Sequence, residues 1–183
     1  MVAFPTDTVY GLGAWLWEAE AVEQLFAVKG RDAAKAIAVL VGDAAHLAQV
    51  TRGLNRMAER LAQCFWPGAL TLVVDGHPDL PANLSPRPTV GVRMPDHLLA
   101  LRLLRHTGPL AVTSANLSDA PSTVTAQEVL EQLGGRIPLI LDGGRTPGGL
   151  PSTVVDCTGE EPVILRSGPL SEEQLREALG RKC

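Results

Sequence analysis

Apolar residues recur along this chain in two rhythms, short unbroken runs and stripes at helical spacing. The runs fall at 2–4, 36–41, 69–74, 89–94, 109–113, 137–141, 152–156 and 162–166. Runs of that length, bounded by Gly, Pro, Asn or Asp, predict strands, several of them buried. The stripes predict helices. Val22, Leu25, Phe26 and Val28 share a face over 18–28, and Gly30 is a natural stop. Residues 43–65 read as a short helix and a longer one, with Asp43 and Thr51 as N-caps and Leu54, Met57, Ala58, Leu61 and Phe65 facing inward. A Leu-rich helix follows over 97–105, and capping boxes at Thr125…Glu128 and Ser171…Gln174 open two more. Strand–helix units mixed with hairpins predict an α/β fold whose twisted sheet combines parallel and antiparallel strands.

The first twelve residues of this pattern set the rest in place. The strand ending in Phe4 breaks at Pro5 into Thr6-Asp7-Thr8, and Gly11 and Gly13 suit a tight return before a helix. Hydroxyls and a carboxylate then stand at a strand end, where open α/β sheets keep ligands. Taken alone, the stretch is a turn with an Asx-type hydrogen bond. Lys29-Gly30-Arg31 alone is a solvated helix end, and Ser114-Ala115-Asn116 alone is a turn. Residues 75–88 are too long for a bare connection, and the glycine-rich 142–149 segment is a candidate lid.

Composition narrows the classes. The 183 residues are 45% hydrophobic with a formal net charge of −4, which fits one globular domain and argues against bulk nucleic-acid binding. Cys64, Cys157 and Cys183 form no CxxC pair, and free thiols in a reducing cytoplasm follow. No apolar run reaches membrane-spanning length.

No P-loop, dinucleotide fingerprint, zinc motif or nucleophile elbow is present. What recurs instead is cations and hydroxyls at the ends of predicted elements. Lys29, Arg31, Lys35, Arg93 and Arg166 supply charge, and Thr6, Thr8, Thr89, Ser114, Asn116, Ser122 and Ser152 supply neutral donors. Converging, they would make an anion pocket, since guanidinium forks suit phosphate and carboxylate.

Seven stretches, in order, resemble the YrdC-type threonylcarbamoyl-AMP synthase family. They are 4–13, Lys29-Gly30-Arg31, 66–73, 90–97, 113–118, 152–156 and Ile164-Leu165-Arg166. The resemblance implies a single YrdC-like domain over 1–183 with a deep concave cavity, lacking the helix that precedes the family's first strand. It also implies synthesis of threonylcarbamoyl-AMP and pyrophosphate from L-threonine, bicarbonate and ATP in the cytoplasm, for the t6A modification of tRNA. Residue by residue, it implies threonine contacts at Thr8, Arg93, Val112 and Ser152. Nucleotide contacts fall at Arg31, Lys35, Thr89, Ser114, Asn116, Ser122 and Arg166, with Lys29 and Arg31 as the catalytic cations. Mg2+ accompanies ATP, with no metal site built from protein ligands. Threonylcarbamoyl-transfer proteins are the downstream partners, weak tRNA binding is possible in this family, and no membrane is involved. A paralogous enzyme acting on another carbamoyl-type substrate is a second reading. An RNA-binding module using the same cations is a third.

Overall fold

The computed structural model describes residues 1–180. Eight strands form one sheet: β1 (Val2–Phe4), β2 (Gly11–Trp15), β3 (Ala38–Leu40), β4 (Leu70–Asp75), β5 (Thr89–Arg93), β6 (Leu110–Ser114), β7 (Thr153–Asp156) and β8 (Val163–Arg166). Their spatial order is β1-β2-β6-β3-β5-β4-β7-β8. Only β3–β5 and β4–β7 pair in parallel, so the sheet is mixed, as the pattern predicts. The helices are α1 (Ala19–Lys29), α2 (Leu47–Val50), α3 (Arg56–Phe65), α4 (Leu98–Thr107), α5 (Ala126–Leu133) and α6 (Glu172–Gly180).

Side chains alternate across a sheet, so register decides which face each strand residue occupies. Leu12, Ala14, Val39, Leu70, Leu72, Val90, Val92, Ala111 and Val155 fall on one face, all buried in the main core with residues of α1, α3, α5 and α6. The opposite face is built in rows. One row runs Leu110, Leu40, Arg93, Thr71, Val154, Arg166. The next runs Val112, Ala38, Gly91, Val73, Asp156. Gly11, Ser114, Thr89 and Asp75 lie farther along the same face. A smaller cluster, Phe4, Leu40, Leu110 and Val112 beneath Ala100 and Leu104 of α4, roofs part of it. The rest stays open. Small residues in the middle row, Ala38 and Gly91, give that open part its depth.

The structure corrects several expectations. The stretch after the Thr6-Asp7-Thr8 knot is β2, not a helix, and Gly11 and Gly13 lie within a strand. They serve packing rather than a turn. A Cβ at Gly11 would stand 2.9 Å from Val112 Cγ1, and one at Gly13 3.0 Å from Phe4. Residues 137–141 are not a strand. They make one parallel bridge, Ala3 to Ile140, because Pro138 brings no N–H and β1 is only three residues long. The long helix is capped by Asn55, whose side chain accepts from Ala58 N; Thr51 ends α2 instead. Both capping boxes form: Thr125 Oγ1 accepts from Glu128 N, and Ser171 Oγ accepts from Gln174 N. Cys157 is free and buried, burial pushing its thiol up to about 12. Cys64 is disulfide-bonded rather than free, and Cys183 lies outside the described residues. No helix among the described residues is long and apolar enough to cross a membrane.

Candidate functional site

The open face of the sheet forms the floor of a cavity of about 530 Å³. Its walls come from the Thr6–Tyr10 knot, the segment after α1, the 76–88 connection and the residues on either side of β7 and β8. Three of the five predicted charges, Arg31, Arg93 and Arg166, are delivered there by local features. Gly30, at φ 59°, ends α1 in a left-handed turn, with Gly30 N donating to Ala27 O and Arg31 N to Phe26 O. That turn sends Arg31 to the cavity wall. Arg93 is the last residue of β5 and faces the floor, and Arg166 is the last of β8.

Arg93 is held most tightly. Its Nε donates to Gly68 O at 2.9 Å, Nη1 to Thr8 Oγ1 at 2.9 Å and Nη2 to Asp7 Oδ1 at 2.5 Å. The Asp7–Arg93 pair is buried, its side chains 13% and 6% exposed. Three of the five guanidinium N–H groups are thereby committed, leaving one on each terminal nitrogen. Two parallel N–H groups suit a carboxylate. Close by, Arg166 Nε and Nη2 donate to Ser152 O, Nη2 also to Ser152 Oγ, and Ser152 Oγ shares a 2.8 Å hydrogen bond with Thr71 Oγ1. Arg31 donates to Ala36 O at 2.9 Å and Lys35 O at 3.4 Å.

The cations sense one another. Burial is the main force lowering the pKa of Arg93, Arg31 and Arg166. Asp7 opposes the shift at Arg93, whereas the Arg166 charge adds to it. Asp32 opposes the shift at Arg31, and the Arg31 charge adds to that at Arg166. Mutual repulsion among desolvated guanidinium groups is relieved when an anion binds among them. Among the described residues Asp156 is the only carboxylate on the lining, and its Oδ1 is engaged by Thr158 N and Oγ1.

Of the residues singled out from the sequence, Thr8, Arg93, Val112, Ser152, Arg31, Thr89, Ser114 and Arg166 line this one cavity. Lys29, Lys35, Asn116 and Ser122 do not. Lys29 is buried, and its ammonium donates to Ser114 O and Asn116 O, stitching the turn after β6 to the end of α1. That burial, with the Arg31 charge second, lowers its pKa to about 8. Lys29 thus stands off the lining, bonded to the backbone of Ser114, which lines it. The Asn116 side chain donates to Leu117 O and Ala120 O. Lys35 is exposed, 3.8 Å from Asp119. Ser122 sits in the segment leading to α5, off the lining. The 142–149 segment is pinned rather than free: Tyr10 Oη donates to Gly144 O, and Gly149 N donates to Thr8 O at 2.7 Å.

Sequence reasoning left Asp7, Tyr10, Thr71, Arg87 and Asp156 without a role. Asp7 carried a signal, a carboxylate between two threonines, but its partner lies 86 residues away. Thr71 and Asp156 stand at cavity-facing places in strands that read as merely apolar, and only cross-strand register reveals them.

With the geometry in view, comparison with known proteins is specific. Residues 1–168 match the Sua5/YciO/YrdC family model, described as telomere recombination. A threonylcarbamoyl-AMP synthase of Bacillus subtilis is 45% identical over 186 residues, covering 98% of this chain and 53% of that protein. A putative threonylcarbamoyl-AMP synthase of Mycobacterium tuberculosis is 42% identical over 181 residues, covering 98% of this chain and 83% of the relative. The crystal structure of P. abyssi Sua5 complexed with L-threonine superposes with a TM-score of 0.95 at 41% identity, covering 98% of this chain and 53% of that one. The chain thus spans about half the length of the Bacillus and Pyrococcus relatives.

Proposed function

The chain belongs to the Sua5/YciO/YrdC family, and from that premise we propose that it joins L-threonine, bicarbonate and ATP into threonylcarbamoyl-AMP, releasing pyrophosphate. One observation carries the reading: Thr8, Arg31, Arg93, Ser114, Ser152 and Arg166, drawn from distant parts of the chain, line a single cavity. The Sua5 relative is solved with L-threonine, and Arg93, with N–H groups left over beside the Thr8 hydroxyl, is a guanidinium of the kind that suits a carboxylate. We assign threonine to that end, and the nucleotide to the end held by Arg31, Ser114 and Thr89.

The chemistry asks for no protein nucleophile. The threonine amine adds to the carbon of CO2, formed from bicarbonate by loss of hydroxide, and gives up a proton to leave a carbamate, so that water is released overall. A carbamate oxygen then attacks the α-phosphorus, and the bond to the departing pyrophosphate breaks. The chain supplies alignment and fixed positive charge where negative charge grows on the phosphates. Its arginines are oriented in advance by Gly68 O, Ala36 O and Ser152 O, so little reorganisation accompanies the reaction. Magnesium enters as part of the MgATP substrate. Phosphates and water are the ion's usual ligands in such complexes.

A cytoplasmic setting, downstream threonylcarbamoyl-transfer proteins and weak tRNA contact belong to the same proposal. The test is pyrophosphate release measured with each substrate omitted in turn. Release that requires threonine, bicarbonate and ATP together supports the reading. Release indifferent to threonine overturns it in favour of a paralogous activity. RNA affinity that is steep in salt and indifferent to ATP would favour an RNA-binding role.

A further inference from the structure

One cation of the cavity differs from the others. Arg31, Arg93 and Arg166 each spend N–H groups on carbonyls of the chain itself. Arg87 lines the same cavity, yet its guanidinium has no hydrogen bond or ion pair among the described residues. It is also exposed, so its charge was placed at the mouth without the desolvation that the inner arginines bear.

The backbone beneath Arg87 is far from loose. Leu84 is 1% exposed, and its carbonyl accepts from Ile37 N at 2.9 Å. Gly76 N donates to Pro88 O at 3.0 Å, and Arg87 N donates to Ser85 Oγ at 3.3 Å. Pro86 and Pro88 flank the residue and restrict φ on either side. A fixed backbone therefore carries an uncommitted side chain. The Ile37–Leu84 bond also ties this connection to the segment that follows Arg31. The two arginines thus stand on linked walls at the Thr89 end, away from Arg93.

We propose that Arg87 binds the terminal phosphates of the nucleotide, closing on the portion that leaves as pyrophosphate. This rests on the reading of that end as the nucleotide subsite. A triphosphate spreads several negative charges over a chain longer than one guanidinium can serve, and Arg31 already gives two nitrogens to carbonyls. An unpaired arginine at the mouth supplies the second fork. Charge placed there acts on polyphosphate and leaves a nucleoside monophosphate deeper in the cavity untouched.

Calorimetric titration of ATP, AMP, pyrophosphate and threonine into wild type, Arg87→Ala and Arg87→Lys tests this. Arg102→Ala, an exposed change on α4 away from the cavity, is the control for net charge. Arg87→Ala is expected to weaken ATP and pyrophosphate about tenfold while AMP and threonine stay within about twofold. Arg87→Lys should recover part of the loss, and Arg102→Ala should match wild type. Wild-type ATP affinity in Arg87→Ala overturns the proposal while leaving the nucleotide subsite standing. So does an equal loss for AMP, which would mark a general disturbance of the loop. Failure of the wild-type protein to bind ATP or pyrophosphate would overturn the subsite itself, and the role of Arg87 with it.

Discussion

The two ends of the cavity hold their cations differently. At the Arg93 end the arginine is 5% exposed and its guanidinium meets a carboxylate, a hydroxyl and a carbonyl, three partners of different chemistry fixed by side chains as well as backbone. At the Arg31 end Arg31 rests on carbonyls, and the exposed Arg87 guanidinium has no partner among the described residues. A closed, charge-balanced end with two N–H groups to spare fits a small ligand bearing one carboxylate. An open end with exposed positive charge fits a longer polyanion that reaches into solvent. On the proposed assignment, selectivity for the amino acid would rest on a rigid network, and affinity for the nucleotide on accumulated charge.

Cutting the rigid network should produce the largest effect. Arg93→Met leaves Asp7 partly buried without its cation, and loss of one member of such a pair costs about 3–5 kcal/mol. Denaturant titration should show that loss, and calorimetry should show threonine binding gone, with ATP affinity reduced far less. The double variant Asp7→Asn, Arg93→Met should recover much of the stability and none of the threonine binding. If threonine still bound the double variant, the carboxylate would be held elsewhere and the contrast between the ends would collapse.

Lys29 gives a smaller effect with a recognisable sign. Its folded pKa is about 8, below the ordinary 10.5. Between those values the folded chain has shed a proton that the unfolded chain keeps, so stability rises with pH across that interval. The slope from this group approaches about 1.4 kcal/mol per pH unit. The same proton loss removes a charge beside Arg31, so ATP affinity should fall as pH passes 8 while stability climbs. Lys29→Met should flatten both trends. Parallel trends in the wild-type protein would show that Lys29 does not contribute to the field at the nucleotide end.

Much of this architecture was legible beforehand, and the reasons it stopped being legible are physical. Amphipathic stripes and capping boxes report local energetics, so α1, α5 and α6 appear where the pattern puts them. The 137–141 run looked like a strand because apolar content was visible and the lack of a second hydrogen-bonding neighbour was not. Gly11 and Gly13 looked like a turn because the neighbours that exclude a Cβ, Val112 and Phe4, come from other strands. Lys29 alone looked like part of a solvated helix end, and only the family resemblance made it a catalytic cation. Only the fold shows its ammonium already taken by Ser114 O and Asn116 O. Cations can be listed from a sequence, but their commitments to carbonyls are made by tertiary structure.

The finest test of the contrast uses two threonine hydroxyls on adjacent strands of the floor. Thr89 and Thr71 both line the cavity, on adjacent strands β5 and β4. Thr71 Oγ1 is bonded to Ser152 Oγ, which accepts from Arg166, so it belongs to the fixed network. Thr89 Oγ1 makes no hydrogen bond among the described residues and stands at the Ser114 end. Replacing either with valine keeps the shape and removes one hydroxyl, a change of about 0.5–1.5 kcal/mol where a hydrogen bond is lost. Thr89→Val should weaken ATP severalfold and leave threonine affinity and the denaturation midpoint alone. Thr71→Val should do the reverse, lowering threonine affinity and the midpoint together, because the Ser152 hydroxyl loses its partner. Two variants of equal volume that moved the same ligand would mean that the floor serves one merged site, and assigning separate ligands to its ends would fail.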